Sequence, residues 1–422
     1  MIEEAGEHGS PASSRAAEPG NPVSLGDVCL DGDVRLATGI AELDRVVGGG
    51  FVAGSIVLLG GEPGIGKSTL LLQAAAAAAA AGADVMYVCG EESPAQVALK
   101  ARRLGVDGSA VGLLDDTDVG RVEATVRAKR PGMLVVDSIQ TVYDPDVAGL
   151  AGSVAQIRAC TARLMRLAKN EGVTTLIVGH VTKDGSIAGP RMLEHMVDAV
   201  LYFEGDRDHA FRIVRSVKNR FGPAGEIGVF EMTDRGLLAV EQPSASAMAG
   251  RPGAVGSAVM AAMEGSRPMM VEVQALVAPS YASAPRRLAT GVDTGRLLQV
   301  LAVLERHAKI VFGQHDVYVA LSGGIRVVEP AADLALAMAL TSARVALPMP
   351  AEMVAFGEIG LTGEIRGVPH IEARLREAAR LGFRTAVTGR GGADPRSAVP
   401  SGLELHRVFS LEEALKVPGL AG

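Results

Sequence analysis

Gly61-Glu62-Pro63-Gly64-Ile65-Gly66-Lys67-Ser68-Thr69 fills the pattern G-x-x-x-x-G-K-[ST] completely, and its flanks decide the fold to which it belongs. Ahead of it, Ser55 to Gly60 (SIVLLG) is an apolar run that reads as a buried parallel strand. Behind it runs a helix-forming stretch with consecutive alanines from Ala74 to Ala81, and Gly82 stands where a left-handed residue would end that helix. In a strand, glycine loop and helix of this kind the backbone N–H groups turn toward the β- and γ-phosphates of a nucleotide without Cβ clashes. Lys67 adds positive charge there, the Ser68 hydroxyl can ligate Mg²⁺, and the helix turns its positive end toward the anion. Nucleoside triphosphate binding follows.

Outward from this loop the chain alternates strand and helix. After the alanine helix come Asp84 to Cys89, a helix from Ser93, Val111 to Leu114, a helix from Asp118, and Met133 to Asp137. A long helix from Ser153 to Asn170 leads into the strand Thr174 to Gly179, followed by a β-rich stretch from Ala199 to Thr233. Continuous apolar strands alternating with helices predict a mainly parallel sheet covered on both faces. Residues 1 to about 22 are poor in apolar side chains and read as a disordered tail. The first domain is expected over 23–240, a small, polar, proline-bearing linker over 241–253 and a second α/β domain over 254–422. In the second domain, strands are expected at Met270 to Val277 and Val317 to Leu321, and helices at Gly295 to His307, Ala331 to Arg344 and Ile371 to Leu381.

Composition narrows the function classes. A chain of 422 residues is too long for one ordinary core, and 48 % apolar content is enough to bury two. No apolar run of membrane-spanning length and no secretory signal is evident, so a cytoplasmic protein without a membrane partner is expected. Cys29, Cys89 and Cys160 are scattered and read as free thiols, not as a disulfide or zinc framework. With a net charge of −7 the chain lacks an overall basic footprint, so any nucleic-acid contact must come from local loops.

Several residues carry chemistry. Met133 to Asp137 is an apolar strand ending in a carboxylate, as in the Walker B element that holds Mg²⁺ opposite a P-loop. Glu91, just after the strand Asp84 to Cys89 that follows the P-loop helix, can act as general base on an attacking water; the competing reading is that Glu92-Ser93 only starts the next helix. His180 ends another strand, where it either senses the γ-phosphate or serves as an ordinary structural histidine. In Lys218-Asn219-Arg220-Phe221-Gly222, Lys218 and Arg220 suit either a finger presented to a neighbour's γ-phosphate or DNA contact.

Together these elements resemble the RadA (Sms) family of bacterial DNA-repair proteins, a RecA-like P-loop ATPase core followed by a Lon-protease-like, S5-type α/β domain. The phrases that carry the resemblance, from about Val23 onward, are GEPGIGKST, GEES (90–93), KNRFG (218–222), PRRLATGVD (285–293), EPAADLA (329–335) and FGEIGLTGEIRGV (356–368). The resemblance implies an ATP- and Mg²⁺-dependent hexameric ring that moves on single-stranded and branched DNA, promotes branch migration and works alongside the RecA recombinase. It places the loop Tyr143 to Ser153 and Lys183 toward the central channel, with KNRFG at the subunit interface. Arg286 and Arg287 read as phosphate contacts or as a solvated turn.

Two departures bear on function. Members of that family begin with a four-cysteine zinc finger, whereas Cys29 stands alone and His8 cannot complete a tetrahedral site, so zinc is not expected. Where a Lon protease has its serine and lysine, this chain has Glu329-Pro330-Ala331-Ala332 and, on the helix from Ile371, Glu372. An assembly and DNA-contact platform is therefore preferred to an ATP-dependent peptidase. A DNA-independent signalling ATPase is the remaining alternative.

Overall fold

The computed structural model describes residues 35–180, 190–205, 211–240, 244, 253–322, 326–391 and 399–420. The tail, Cys29, Lys183 and nearly all of the 241–253 stretch lie outside them. Strands β1 (Arg35–Leu36) and β2 (Phe51–Val52) pair antiparallel and bracket the helix Ala41–Val47.

The first large sheet contains β3 (Ile56–Gly61), β4 (Val85–Cys89), β5 (Val111–Leu114), β6 (Met133–Asp137), β7 (Thr174–His180), β8 (Ala199–Glu204), β9 (Phe211–Asn219), β10 (Ile227–Thr233) and β11 (Gly236–Ala239). Its spatial order is β11-β10-β9-β8-β3-β7-β6-β4-β5. The six strands from β8 to β5 in that order are parallel, and β9, β10 and β11 extend the sheet antiparallel.

Every residue of β3 is buried because both sheet faces are covered, and the strand's period of two sends its side chains to different cores. Val57 and Leu59 pack with the helices Ala41–Val47, Lys67–Ala80 and Pro94–Leu104. Ile56 and Leu58 pack on the opposite side with the helices Val119–Lys129 and Val154–Glu171. The alanine helix ends at Ala80 and Gly82 takes φ +96°, the left-handed stop expected from the sequence. Burial pushes the Cys89 thiol up to about 11 and the Cys160 thiol up to about 12, and both are free.

The second large sheet contains β12 (Ser257–Glu264), β13 (Arg267–Pro279), β14 (Arg287–Thr290), β15 (His315–Leu321) and β16 (Met353–Phe356). After a small pair, β17 (Glu358–Ile359) with β18 (Ile365–Arg366), it is completed by β19 (Thr385–Gly389) and β20 (Glu404–Val408). Its order is β14-β15-β13-β12-β16-β19-β20, with antiparallel pairs β12/β13 and β13/β15 and parallel pairs elsewhere. Helices Thr294–His307 and Ala332–Val345 cover one face, and Ile371–Arg380 covers the other.

The turn joining β12 to β13 rests on the first sheet. Arg267 meets Glu42 at 2.8 Å, and Arg215 of β9 meets Glu264 at 2.9 Å. Glu42 also accepts from Arg45 Nη2 and from the Val229 N–H, both at 2.9 Å, so one buried carboxylate gathers donors from both sheets. The whole is α/β with a mainly parallel first sheet and a second α/β layer, as expected.

Candidate functional site

The glycine loop joins the C-terminal end of β3 to the helix Lys67–Ala80, whose first turn has no side-chain cap. Its leading N–H groups are therefore available to an anion, a role the loop glycines permit and a capping side chain would obstruct. Glu62, Pro63 and Gly64 are exposed, Ile65 is buried in the core beneath them, and Ser68 and Thr69 are half-buried at the helix start. Lys67 is buried and its Nζ donates to the Gly61 and Glu62 carbonyls at 2.9 Å each. Burial lowers its pKa, while the nearby carboxylates of Glu91 and Asp137 act in the opposite direction.

Strands β4 and β6 are adjacent and in register, with Cys89 opposite Asp137, so Glu91 and Asp137 emerge at the same end of the sheet as the glycine loop. The Gly90 and Glu91 N–H groups both donate to the Asp137 carbonyl, at 2.8 and 3.1 Å. Asp137 is buried. Its Oδ2 accepts a 2.5 Å hydrogen bond from the Tyr87 hydroxyl, and its Oδ1 is buried with no partner among the described residues. An orphaned buried carboxylate oxygen at the sheet end that carries the P-loop suits a hydrated divalent cation, so Asp137, with the half-buried Ser68 at the helix start, fits Mg²⁺.

Glu91 and Glu92 part company, which separates the two readings of the acidic pair. Glu92 pairs with Lys100 at 2.6 Å, and Ser93 caps the helix Pro94–Leu104 reciprocally with Gln96. Glu91 instead turns to the site: His180 Nε2 lies 2.6 Å from its Oε1, and the Ser138 hydroxyl donates to the same oxygen. The His180 hydrogen bond is the main reason that the Glu91 carboxyl falls to about 2, with burial opposing it and Ser138 and Lys67 reinforcing it. His180 and Glu91 thus form one unit.

The KNRFG segment lies elsewhere. Asn219 pairs with Ala199 at the start of β8, which runs beside the start of β3, so Lys218 and Arg220 sit at the opposite end of the sheet from the glycine loop. Lys218 Nζ donates to the Glu194 and Val197 carbonyls at 2.7 Å each, and Arg220 meets Asp198 at 3.2 Å while keeping half of its side chain exposed. Neither group reaches the phosphate loop of its own chain.

Of the other candidates, Lys183 falls outside the described residues. Arg287 directs its guanidinium to the backbone carbonyls of Arg286, His315 and Phe312, which makes it a fastener of its own turn. Arg286 is exposed, and its N–H bonds Asp316 at 2.7 Å. In the second sheet layer, Glu329 forms a two-pronged pair with the buried Arg374 at 2.9 and 2.6 Å.

Sequence reasoning missed Tyr87, Ser138 and Gln156. Gln156 accepts from the Asp144 N–H and donates to the Asp144, Val147 and Gly149 carbonyls, fastening the base of the loop Tyr143 to Ser153 while Leu150 stays exposed. A polar residue among apolar helix positions was the available signal for Gln156. Nothing local marked Tyr87, which looks like any aromatic in a buried strand.

Residues 30–186 match a family model described as an AAA domain. The chain is 50 % identical over 407 residues to the DNA repair protein RadA of Brucella abortus, covering 93 % of this chain and 87 % of that protein. It is 45 % identical over 415 residues to the DNA repair protein RadA of Bacillus subtilis, covering 96 % and 90 %. For the DNA repair protein RadA of Pseudomonas aeruginosa the identity is 47 % over 415 residues, covering 98 % and 91 %.

Proposed function

The chain belongs to the RadA family of DNA repair proteins and carries an AAA-type P-loop ATPase domain, and from this we propose that it hydrolyses ATP to move on single-stranded DNA and to promote branch migration of recombination intermediates. The observation that carries the reading is the split between its two groups of charged residues. Lys67, Asp137 and Glu91 gather at one end of the first sheet, while Lys218 and Arg220 stand at the other. A chain built this way completes its catalytic site only against a second copy, which is the requirement of a ring motor.

In this reading Gly61 to Thr69 wrap the phosphates, and Lys67 leaves the two carbonyls it now contacts to meet them. When bound, Mg²⁺ would supply positive charge against the negative charge that develops in the transition state. Ser68 and Asp137 would hold that ion, Asp137 through the oxygen that Tyr87 leaves free. Glu91 orients the attacking water and takes its proton, and His180 reports the state of the γ-phosphate through their shared hydrogen bond. Lys218 and Arg220 of one copy stabilise transition-state charge in the next.

We assign the ATPase role to 23–240 and a platform role to 254–422, joined through 241–253. Lys183, the exposed loop around Leu150 and Arg286 are the proposed DNA contacts, with Arg287 holding Arg286 in place. A hexamer, action beside the RecA recombinase and a cytoplasmic location complete the proposal; no helix among the described residues is long and apolar enough to cross a membrane.

The test is ATP hydrolysis with and without single-stranded DNA across a salt series, beside Lys67→Ala. Stimulation by DNA that fades as salt rises, and hydrolysis that disappears in the variant, is the expected result. Turnover indifferent to DNA would overturn the motor and leave a signalling ATPase.

A further inference from the structure

Tyr87 is 2 % exposed and lies on β4, two residues before Cys89, whose register partner on β6 is Asp137. Side chains two apart on a strand share a face, so Tyr87, Cys89 and Asp137 all face the helix that follows the glycine loop. A tyrosine ring set one strand repeat back spans the roughly 6.6 Å to the carboxylate, and its hydroxyl reaches Asp137 Oδ2 at 2.5 Å. A phenylalanine would fill the same apolar space and leave that oxygen buried and unpaired. The hydroxyl is thus surplus to packing.

A carboxylate on a single rotatable bond can present either oxygen, and it holds a hydrated cation well only when one oxygen is fixed in direction. Tyr87 supplies that fixation. It donates to Oδ2 and leaves Oδ1 buried and without a partner among the described residues. Asp137 is held at its backbone as well, since its carbonyl accepts the Gly90 and Glu91 N–H groups. Neither the side chain nor the strand end is left to be ordered when the cation arrives.

Building on the ATPase reading above, we propose that Tyr87 is a positioning residue for the divalent cation that accompanies the nucleotide: its hydroxyl fixes Asp137 so that Oδ1 is presented to the cation's hydration shell. The residue touches neither nucleotide nor cation, and it acts through Asp137 alone.

The variant is Tyr87→Phe in the full chain, and the probe is a fluorescent ATP analogue titrated first in EDTA and then at rising MgCl₂. Affinity in EDTA is expected to match the wild type, while the Mg²⁺ concentration that half-restores tight binding rises about 10- to 100-fold, the range typical when the hydrogen-bond partner of a metal-holding group is removed. The same substitution made on an Asp137→Ala background should change nothing further, because the hydroxyl then has no carboxylate to direct.

A Tyr87→Phe titration that superimposes on the wild type overturns the proposal. So does an equal loss in EDTA and in Mg²⁺, or an equal loss with Asp137 already removed, since either would mark a packing effect. A wild-type chain that binds nucleotide identically in EDTA and Mg²⁺ would overturn the metal-dependent ATPase reading itself, and it would do so before any variant is compared.

Discussion

Glu91 receives two donors on one oxygen, from Ser138 on the neighbouring strand end and from His180, 89 residues further along the chain. Both act on Oε1, and the described residues give Oε2 no partner, so the carboxylate keeps one oxygen for water while the other fixes its direction. Such a group is ionised and oriented before substrate arrives, as a base aimed at an in-line water must be. Glu91→Gln should therefore lower turnover by about 10²- to 10⁴-fold, the usual contribution of a general base, while nucleotide affinity changes little. Steady-state hydrolysis beside equilibrium nucleotide binding checks this, and a variant that turns over at the wild-type rate would remove Glu91 from the chemistry. The sequence placed Glu91 and His180 separately at strand ends. Their union was not legible there because it depends on β7 and β4 standing on either side of β6, an adjacency that no local pattern encodes.

Between residue and domain, the strands announced themselves and their order did not. β3, β4, β6 and β7 are continuous apolar runs, and burial on both faces of a parallel sheet is the physical reason such runs exist. The alanine helix shows the opposite case: its existence was plain from propensity, but a run of identical side chains carries no periodicity to say which face is inward. In the structure Ala74, Ala75 and Ala78 are fully buried, so small side chains let the helix lie close to the sheet. The hinge between β4 and the helix Pro94–Leu104 is equally constrained, and GEES hid the reason. A Cβ on Gly90 would collide with the Thr141 hydroxyl and stand 2.9 Å from the Asp137 carbonyl oxygen and 3.1 Å from the Ser138 nitrogen. Gly90→Ala must therefore push β4 and β6 apart at the end that carries Glu91 and Asp137. We expect a loss of about 1–3 kcal/mol of stability, the range for overpacking, together with a fall in turnover larger than the stability loss explains. Denaturant unfolding and hydrolysis, measured on the same preparation, separate the two; an active, equally stable variant would contradict the geometry.

Across the molecule, the proposed finger mechanism requires the two ends of the first sheet to serve one reaction from two chains. From the pairing of Lys218 with Val200, and of Val200 with Leu58, the finger segment stands three strand residues before Gly61, roughly 10 Å along the sheet at 3.3 Å per residue and still short of the phosphate loop beyond. At that end Lys218 directs its ammonium to the Glu194 and Val197 carbonyls and Arg220 meets Asp198, so both charges lie away from their own phosphate loop. Strand β9, which ends one residue before Arg220, carries Arg215 to Glu264 on the second sheet, so the proposed finger segment is tied through that strand to the second sheet layer. A finger that works only in a neighbour makes a demand that no single-chain site makes. Lys67→Ala and Arg220→Ala should each lack turnover when alone, the first for want of a phosphate lysine and the second for want of a finger. Mixed in equal amounts and allowed to exchange subunits, they form interfaces in which an intact Lys67 from one chain faces an intact Arg220 from the other. With random head-to-tail assembly such interfaces make up roughly a quarter of the total, so about a quarter of the wild-type rate should return. Arg220→Ala must also still bind nucleotide with near wild-type affinity, since its own phosphate loop is untouched. A mixture no more active than its parts, with both variants folded and assembled, would place the action of Arg220 outside the neighbour's site and leave DNA contact as the role of KNRFG.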